Sequence, residues 1–487
     1  MKVTGRILLL VSFLLTSSCG GPGREVQVED SLPPVFPDYC GVTVPFSVAP
    51  LNFRINGSDR SLVVISGSES KITIRSKGKV KIPEKRWRRM LTESADDSLN
   101  VNVEARIEKK WTRFRPFSIH VKSDTVDQWI AYRLIAPGYE SYSDMGIYQR
   151  DLHSFRQRSV ITNRLPEGTC MNCHSFNSYN PGNMIFHIRG DISGTVLIDE
   201  NDVKKLNTKV KETIANCIYP YWHPSGEYIA FSVNNISQVF HSVPDRRIEV
   251  FDSKSDIVVY DIADNTIVTD TIISSEASFE TFPAFSPDGR SLFFCSASSA
   301  SQPENYNKVK YSLCRIDFDP STGSFGNTTD TLVSASSTNK SVSFPRVSPD
   351  GRFLLFTLSD YGNFSIWHSE ADLYILDLES GIITPADPLN SPDTESYHSW
   401  SSNSRWAIFS SRRMDGLYTR PYIAYFSEEG TFSKPFMLPQ KDPDLYELSL
   451  RSFNVPEFIK GKIKKDSRSL IKVIRSPAMD VKFEIRN

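Results

Sequence analysis

The sequence predicts an all-β protein: a β-propeller of six blades, with seven as the alternative count, preceded by a small antiparallel β-domain. Three observations carry this prediction. A strand–turn–strand segment recurs in aligned form, a β-hairpin segment alternates with it, and an earlier stretch holds short β-rich runs without either repeat. The boundaries that follow are a leader at 1–19, a tether at 20–33, a sandwich-like domain at 34–126, the propeller at 127–458 and a tail at 459–487.

The leader carries Lys2 and Arg6, then the apolar run Ile7–Leu15, then Thr16-Ser17-Ser18-Cys19-Gly20-Gly21. Basic, apolar and small residues in that order make a secretory signal, and the apolar run is too short to span a bilayer. A Cys directly after small residues resembles the lipobox of bacterial lipoproteins. That resemblance implies acylation of Cys19, which becomes the mature N-terminus and anchors the chain to a membrane. An ordinary cleaved signal with a chance Cys is the alternative. No later stretch is long and apolar enough for a membrane helix.

At 487 residues the chain can bury a large core and divides into about two domains. Lys and Arg number 56 against 57 Asp and Glu, so no global field selects nucleic acid. Leu62–Ile65, Lys71–Ile74 and Phe117–Val121 read as strands of the first domain, with a polar segment between the last two. The basic cluster Lys85-Arg86-Trp87-Arg88-Arg89 within it reads as a solvated face, with an anion or lipid headgroup as the alternative contact. Asn56-Gly57 reads as a tight turn, and so does Arg189-Gly190-Asp191.

The repeat reads Tyr219-Pro220-Tyr221-Trp222-His223-Pro224-Ser225-Gly226, then Phe282-Pro283-Ala284-Phe285-Ser286-Pro287-Asp288-Gly289, then Phe344-Pro345-Arg346-Val347-Ser348-Pro349-Asp350-Gly351. A degraded copy starts at Tyr397-His398-Ser399-Trp400. Pro sets φ in the turn, Asp or Ser bonds the local backbone, and Gly takes the left-handed position. The apolar run after each turn suits a strand buried on both faces. Outer hairpins begin at Met145, Asp256 and Asp372, with weaker copies near Thr195, Ser312 and Tyr422. Trp129–Leu134 can supply the strand that closes the ring with the last blade. The inner motif, carried by Ser286-Pro287-Asp288-Gly289 and Ser348-Pro349-Asp350-Gly351, resembles the TolB family of periplasmic propellers over about residues 128 to 458. The resemblance speaks for fold; propellers host binding, scaffolding and several chemistries.

Cys170-Met171-Asn172-Cys173-His174 is a C-x-x-C-H motif, which reads as c-type haem attachment. Two thiols at that spacing reach two vinyl groups of one porphyrin, and the adjacent His lies under the iron. Cys170 and Cys173 are then the attachment residues and His174 the axial ligand. The second ligand is one of His187, Met184, His223 or His398, which sequence does not separate. Three alternatives stay open: a Cys170–Cys173 disulfide, a redox-active thiol pair, or a divalent metal held with His174. Cys40, Cys217, Cys295 and Cys314 show no readable pairing. Counting back from Phe186 as the equivalent of Phe231 puts His174 in register with Tyr219, and His398 one place along, where other copies have Pro.

The sequence also resembles Bacteroidetes-type lipoproteins that join a TolB-like propeller to a C-x-x-C-H segment. Together these readings predict a lipid-anchored binding platform in the cell envelope, at the outer membrane and facing the periplasm. It would carry one covalent haem c for electron transfer or sensing, and meet an envelope protein at its face. Two alternatives remain: a haem-free interaction propeller, and a metal-dependent polysaccharide lyase using His174, His187, His223 and His398. In the lyase, Trp222, Tyr221 and Trp400 would stack on sugars, whereas the plainer reading buries them as core. No G-x-S-x-G elbow and no P-loop is present, which argues against a propeller-linked hydrolase domain.

Overall fold

The computed structural model describes residues 25–136, 144–164, 169–200, 202–240 and 248–486. The leader, Cys19 and residues 20–24 of the tether lie outside the described residues. The chain is nearly all β. Eight sheets account for the strands of the described residues. Among these residues no helix is long and apolar enough to cross a membrane.

The arrangement is propeller-like. Six sheets share a core of four antiparallel strands, in chain order in five of them, and each packs its inner strand against the next sheet's inner strand. Those inner strands are Ser452–Ile459, Cys170–Phe176, Cys217–Trp222, Ser278–Phe285, Ser341–Val347 and Glu395–Trp400, in the first to sixth sheets. The first sheet takes its inner strand from near the C-terminus. Ser452–Ile459 pairs antiparallel with Trp129–Ile135, so the last chain segment completes the first sheet. Apolar clusters fill the gaps between neighbouring sheets, and the second strand of each sheet is buried on both faces, as in Phe353–Ser359.

The turns after the inner strands of the third to sixth sheets are alike. Ser286 Oγ bonds Asp288 Oδ1 at 2.5 Å, Gly289 N donates to Ser286 O at 2.9 Å, and Gly289 sits at φ +73°. The degraded copy makes the same turn with Ser401 and Asn403, and Ser404 takes the left-handed place at φ +61°.

Every inner strand also carries a bulge at one place. Cys173, Tyr219, Phe282, Phe344, Tyr397 and Val455 all have φ between +50° and +53°, and the ladder register slips at each. The following residue is Pro220, Pro283, Pro345, Pro456, His174 or His398. This corrects the register read from sequence: Cys173, and not His174, matches Tyr219. The turn of the second sheet is one residue longer than the others, because Ser175 faces Ile185 where Tyr221 faces Ala230. Phe186 does match Phe231, but the count back across that turn loses a step.

The N-terminal domain is a seven-stranded and a three-stranded sheet, and it begins earlier than residue 34, since Val26–Val28 pairs with Trp111–Arg113. The basic cluster lies on the helix Glu84–Glu93, which the sequence reading left as a polar segment. Trp87, Met90 and Leu91 face inward, Trp87 Nε1 donates to Val48 O at 3.0 Å, and Lys85, Arg86, Arg88 and Arg89 face solvent. This domain shares one apolar cluster with the fifth, sixth and first sheets. The tail is also packed. Leu470 and Ile474 of the helix Ser467–Ile474 are buried, and Met479–Asp480 and Lys482–Ile485 add parallel fifth strands to the second and third sheets.

Candidate functional site

The bulges aim side chains at the ring axis, because a left-handed residue turns the chain so that neighbours no longer alternate between faces. Tyr219, Phe282, Phe344 and Tyr397 meet there, with Phe282 and Phe344 centroids 4.0 Å apart and Phe344 and Tyr397 5.0 Å apart. Cys173 stands in this aromatic ring in place of an aromatic. Where its smaller side chain leaves room, a cavity of about 180 Å³ opens on the axis.

Its walls are unlike one another. Arg133, Arg189 and Arg412 line it from the first, second and sixth sheets, which are consecutive around the ring, and Arg346 adds a fourth guanidinium from the fifth. Among the described residues Glu457 is the one carboxylate that lines it. The rest of the wall is mostly apolar: Tyr219, Phe344, Phe364 and Trp367, together with Ile236, Ile248 and Val250 of the long hairpin Tyr228–Asp261, whose Gln238 adds one amide. The Arg412 guanidinium lies 3.3 Å over the Trp367 ring. Arg346 donates to Pro345 O at 2.8 Å and stacks at 5.1 Å over Tyr221, and burial pulls its pKa down. Burial raises Glu457 to about 8 against the pull of Arg346.

Arg346 and Glu457 also line a second cavity at the other end of the axis, with Tyr179, Tyr221, Trp222 and Trp400. The two tryptophans are inter-sheet fasteners, as the core reading expected. Trp400 Nε1 donates to Arg346 O at 3.0 Å and Trp222 Nε1 to Ser175 O at 3.4 Å, each reaching the preceding sheet.

The C-x-x-C-H residues part company here. Cys170 is buried among Met145, Ile147 and Met171 between the first two sheets, and Asn172 Nδ2 donates to its sulfur at 2.7 Å. Cys173 faces the axial cavity. Both are free thiols, so the disulfide alternative is not the state of this structure. His174 is wedged against the backbone of Ala131 and Val455 in the first sheet, and burial, reinforced by Arg133, lowers its pKa to about 3. His398 sits in the equivalent place: Nε2 donates to Leu355 O at 2.9 Å, and burial holds its pKa at about 3.

A covalent haem asks both sulfurs and the imidazole to meet one porphyrin. Here one sulfur lies in the inter-sheet core and one on the axis, and the imidazole packs against the backbone of the neighbouring sheet with its buried Nε2 unpartnered. As arranged, these residues do not fit the group. Of the second-ligand candidates, His398 lines the same axial cavity as His174, and the other three stand elsewhere. Met184 is fully buried opposite Phe176, His187 shares a 3.1 Å hydrogen bond with Thr195, and His223 Nε2 donates to Gly289 O at 3.0 Å in a turn. Among the described residues no cluster of three or more His, Cys, Asp or Glu is placed to hold a metal ion, and the four histidines of the lyase reading are not gathered into one set.

No known protein family matches the sequence, and no curated protein matches it. Among solved structures the chain is similar to prolyl oligopeptidase B from Galerina marginata, at 11% identity over 63% of this chain and 44% of that one, with a TM-score of 0.34. It is similar to a DUF4784 family protein from Bacteroides caccae at 9% identity, over 72% of this chain and 94% of that one, with a TM-score of 0.32. It is also similar to a periplasmic gluconolactonase from Pseudomonas aeruginosa at 15% identity, over 63% and 68%, with a TM-score of 0.28. The match spans less than half of the oligopeptidase. Likeness this distant concerns fold alone and carries no argument about activity.

Proposed function

We propose that this chain is a TolB-like, six-bladed propeller lipoprotein of the bacterial envelope, anchored through Cys19, whose axial cavity binds a small molecule. The six sequential sheets supply the blades, and the leader motif supplies the anchor and the address. The observation that carries the binding role is the cavity itself. Five of the six bulge positions fill the axis with Tyr, Phe or Val, and the sixth, Cys173, leaves a space lined by polar and aromatic groups. The binding platform is therefore read without haem. A docking partner in the envelope would meet the ring face around this opening.

The test uses the position equivalence. Cys173→Phe installs the residue that Phe282 and Phe344 place at the same backbone geometry, so the ring should fold and the cavity should close. Full-length protein matured in a host with haem-attachment machinery is examined by native mass spectrometry against a panel of small metabolites. Binding by the wild type and its loss in Cys173→Phe support the reading. Equal binding by both would move the site elsewhere. A Soret band with a mass gain of one covalent porphyrin would replace the proposal with the electron-carrier reading.

A further inference from the structure

We infer that the ligand of this cavity is a small organic anion: a carboxylate or phosphate on an apolar, planar or branched body. The inference rests on the cavity reading above and names its substrate class. Arg133, Arg189 and Arg412 come from three consecutive sheets and form an arc on one side of the axis. Arg133 keeps its buried Nε without a hydrogen-bond partner, a donor in place for an acceptor that would fill it. Trp367 holds the Arg412 guanidinium flat against its face, and a fixed fork suits a planar oxyanion better than a mobile ammonium would. The histidines at this site, His174 and His398, are held neutral and add no charge. Glu457 lies at the far end with Arg346, where the two axial cavities meet, and not in the arc. Across from the arc, Phe344, Phe364, Ile236, Ile248 and Val250 are apolar, and the polar side chain beside them, Gln238, carries no charge to pair with a second one. A cation would lose its hydration to this site without recompense, and a dianion with charge at both ends would strand one of them on the apolar wall.

Cys173 makes the inference measurable, because its thiol lies inside the cavity while Cys40, Cys170, Cys217, Cys295 and Cys314 are buried. Iodoacetate and iodoacetamide are nearly isosteric and differ by one negative charge. Reduced full-length protein is treated with each, and alkylation of Cys173 is followed by peptide-resolved mass spectrometry, folded and in urea. The folded-state rate ratio, iodoacetate over iodoacetamide, should exceed the ratio in urea by about tenfold, the lower end of what a charged cleft contributes. Arg189→Gln and Arg133→Gln should return it to the urea value, and Arg189→Lys should keep most of it, so a charge effect is separated from misfolding. Benzoate and phenyl phosphate should each slow labelling by iodoacetamide where benzamide does not; the stronger of the two identifies carboxylate or phosphate. Equal ratios folded and in urea, with both reagents reacting, would overturn the anion inference and leave the cavity intact. Folded protein that neither reagent labels would overturn the cavity reading as well.

Discussion

At the scale of single residues, the organising feature is a non-glycine residue held at φ near +50° once in each inner strand. Such a conformation costs on the order of 1 kcal/mol, and six repetitions of it mark a position the ring geometry over-determines. Two places further on in each strand stand Ser175, Tyr221, Ala284, Arg346, Ser399 and Glu457, which explains how one Arg and one Glu come to share the waist between the two axial cavities. Glu457 yields a pH prediction. Burial raises it to about 8 from an ordinary 4.5, so the folded chain keeps a proton that the unfolded chain releases, and stability falls as pH climbs from about 4.5 to 8. Glu457→Gln cannot lose that proton. Urea midpoints of variant and wild type should agree near pH 5, and the variant should be the more stable at pH 8.5. A constant difference at both pH values would refute the assignment. The sequence showed this layer only in part. The Pro after three of the bulges, at 220, 283 and 345, was visible, but Cys173-His174 read as a haem motif because the long turn hid its kinship with Tyr219-Pro220. The arginine arc had no signal at all: Arg189 ends the second strand of its sheet, Arg412 directly follows the end of its own, and Arg133 sits two places before the end of its own.

Among the elements, the hairpin Tyr228–Asp261 differs most from its counterparts. Its strands run 13 and 14 residues, and its far part leaves the third sheet to cover the axial cavity. In this hairpin the sequence pattern marks only Tyr228–Phe231 and Asp256–Ile262 as strands, since Asn234–Ser253 is too polar to read as buried β. The reason for that polarity is a latch on the fifth sheet's loop. Buried Glu249 accepts from Tyr361 Oη at 2.8 Å and lies 3.3 Å from His368 Nε2, and Asp252 accepts from Asn234 at 2.7 Å and also from Asn363. The helix Glu84–Glu93 was overlooked for the opposite reason: its charges outnumber Trp87, Met90 and Leu91, although these are spaced for one helical face. Burial alone would lower the pKa of His368, but Glu249 and Glu370 outweigh it and hold it at about 9. The latch is therefore complete below about pH 6.5 and lost as pH rises through about 9. His368→Gln removes the charge at every pH. Amide exchange of residues 248–252 should rise by about tenfold at pH 7, the factor expected when a charge-assisted bond of about 1.5 kcal/mol is lost. Wild type should reach comparable exchange, after correction for intrinsic rates, only above pH 9. Protection unchanged by the substitution would show that the hairpin is held by its apolar contacts alone.

For the whole molecule the decisive contact is the one that ends the ring. Periodicity made the repeats and the six outer hairpins legible, and Trp129–Leu134 already stood as a candidate to close the ring with the last blade. Which segment it meets, Ser452–Ile459, is a matter of three-dimensional closure that no local pattern contains. The tail was legible only as leftover sequence, because strands as short as Met479–Asp480 and Lys482–Ile485 acquire meaning from the sheet edges they cover. These two C-terminal segments should differ in what their removal does. Ending the chain after Gly461 takes away the helix Ser467–Ile474 and both edge strands. Burial of Leu470 and Ile474 is worth about 1.5–3 kcal/mol each, so the protein should unfold cooperatively at a lower denaturant concentration with its ring intact. Ending it after Arg451 removes the inner strand of the first sheet, bares the edge of Trp129–Ile135 and takes away the backbone on which His174 rests. That chain should show no cooperative transition and should associate through the open edge. A soluble monomer with a cooperative transition would mean that the sixth and first sheets hold together without the strand between them, and the closed ring, with the cavity on its axis, would have to be abandoned.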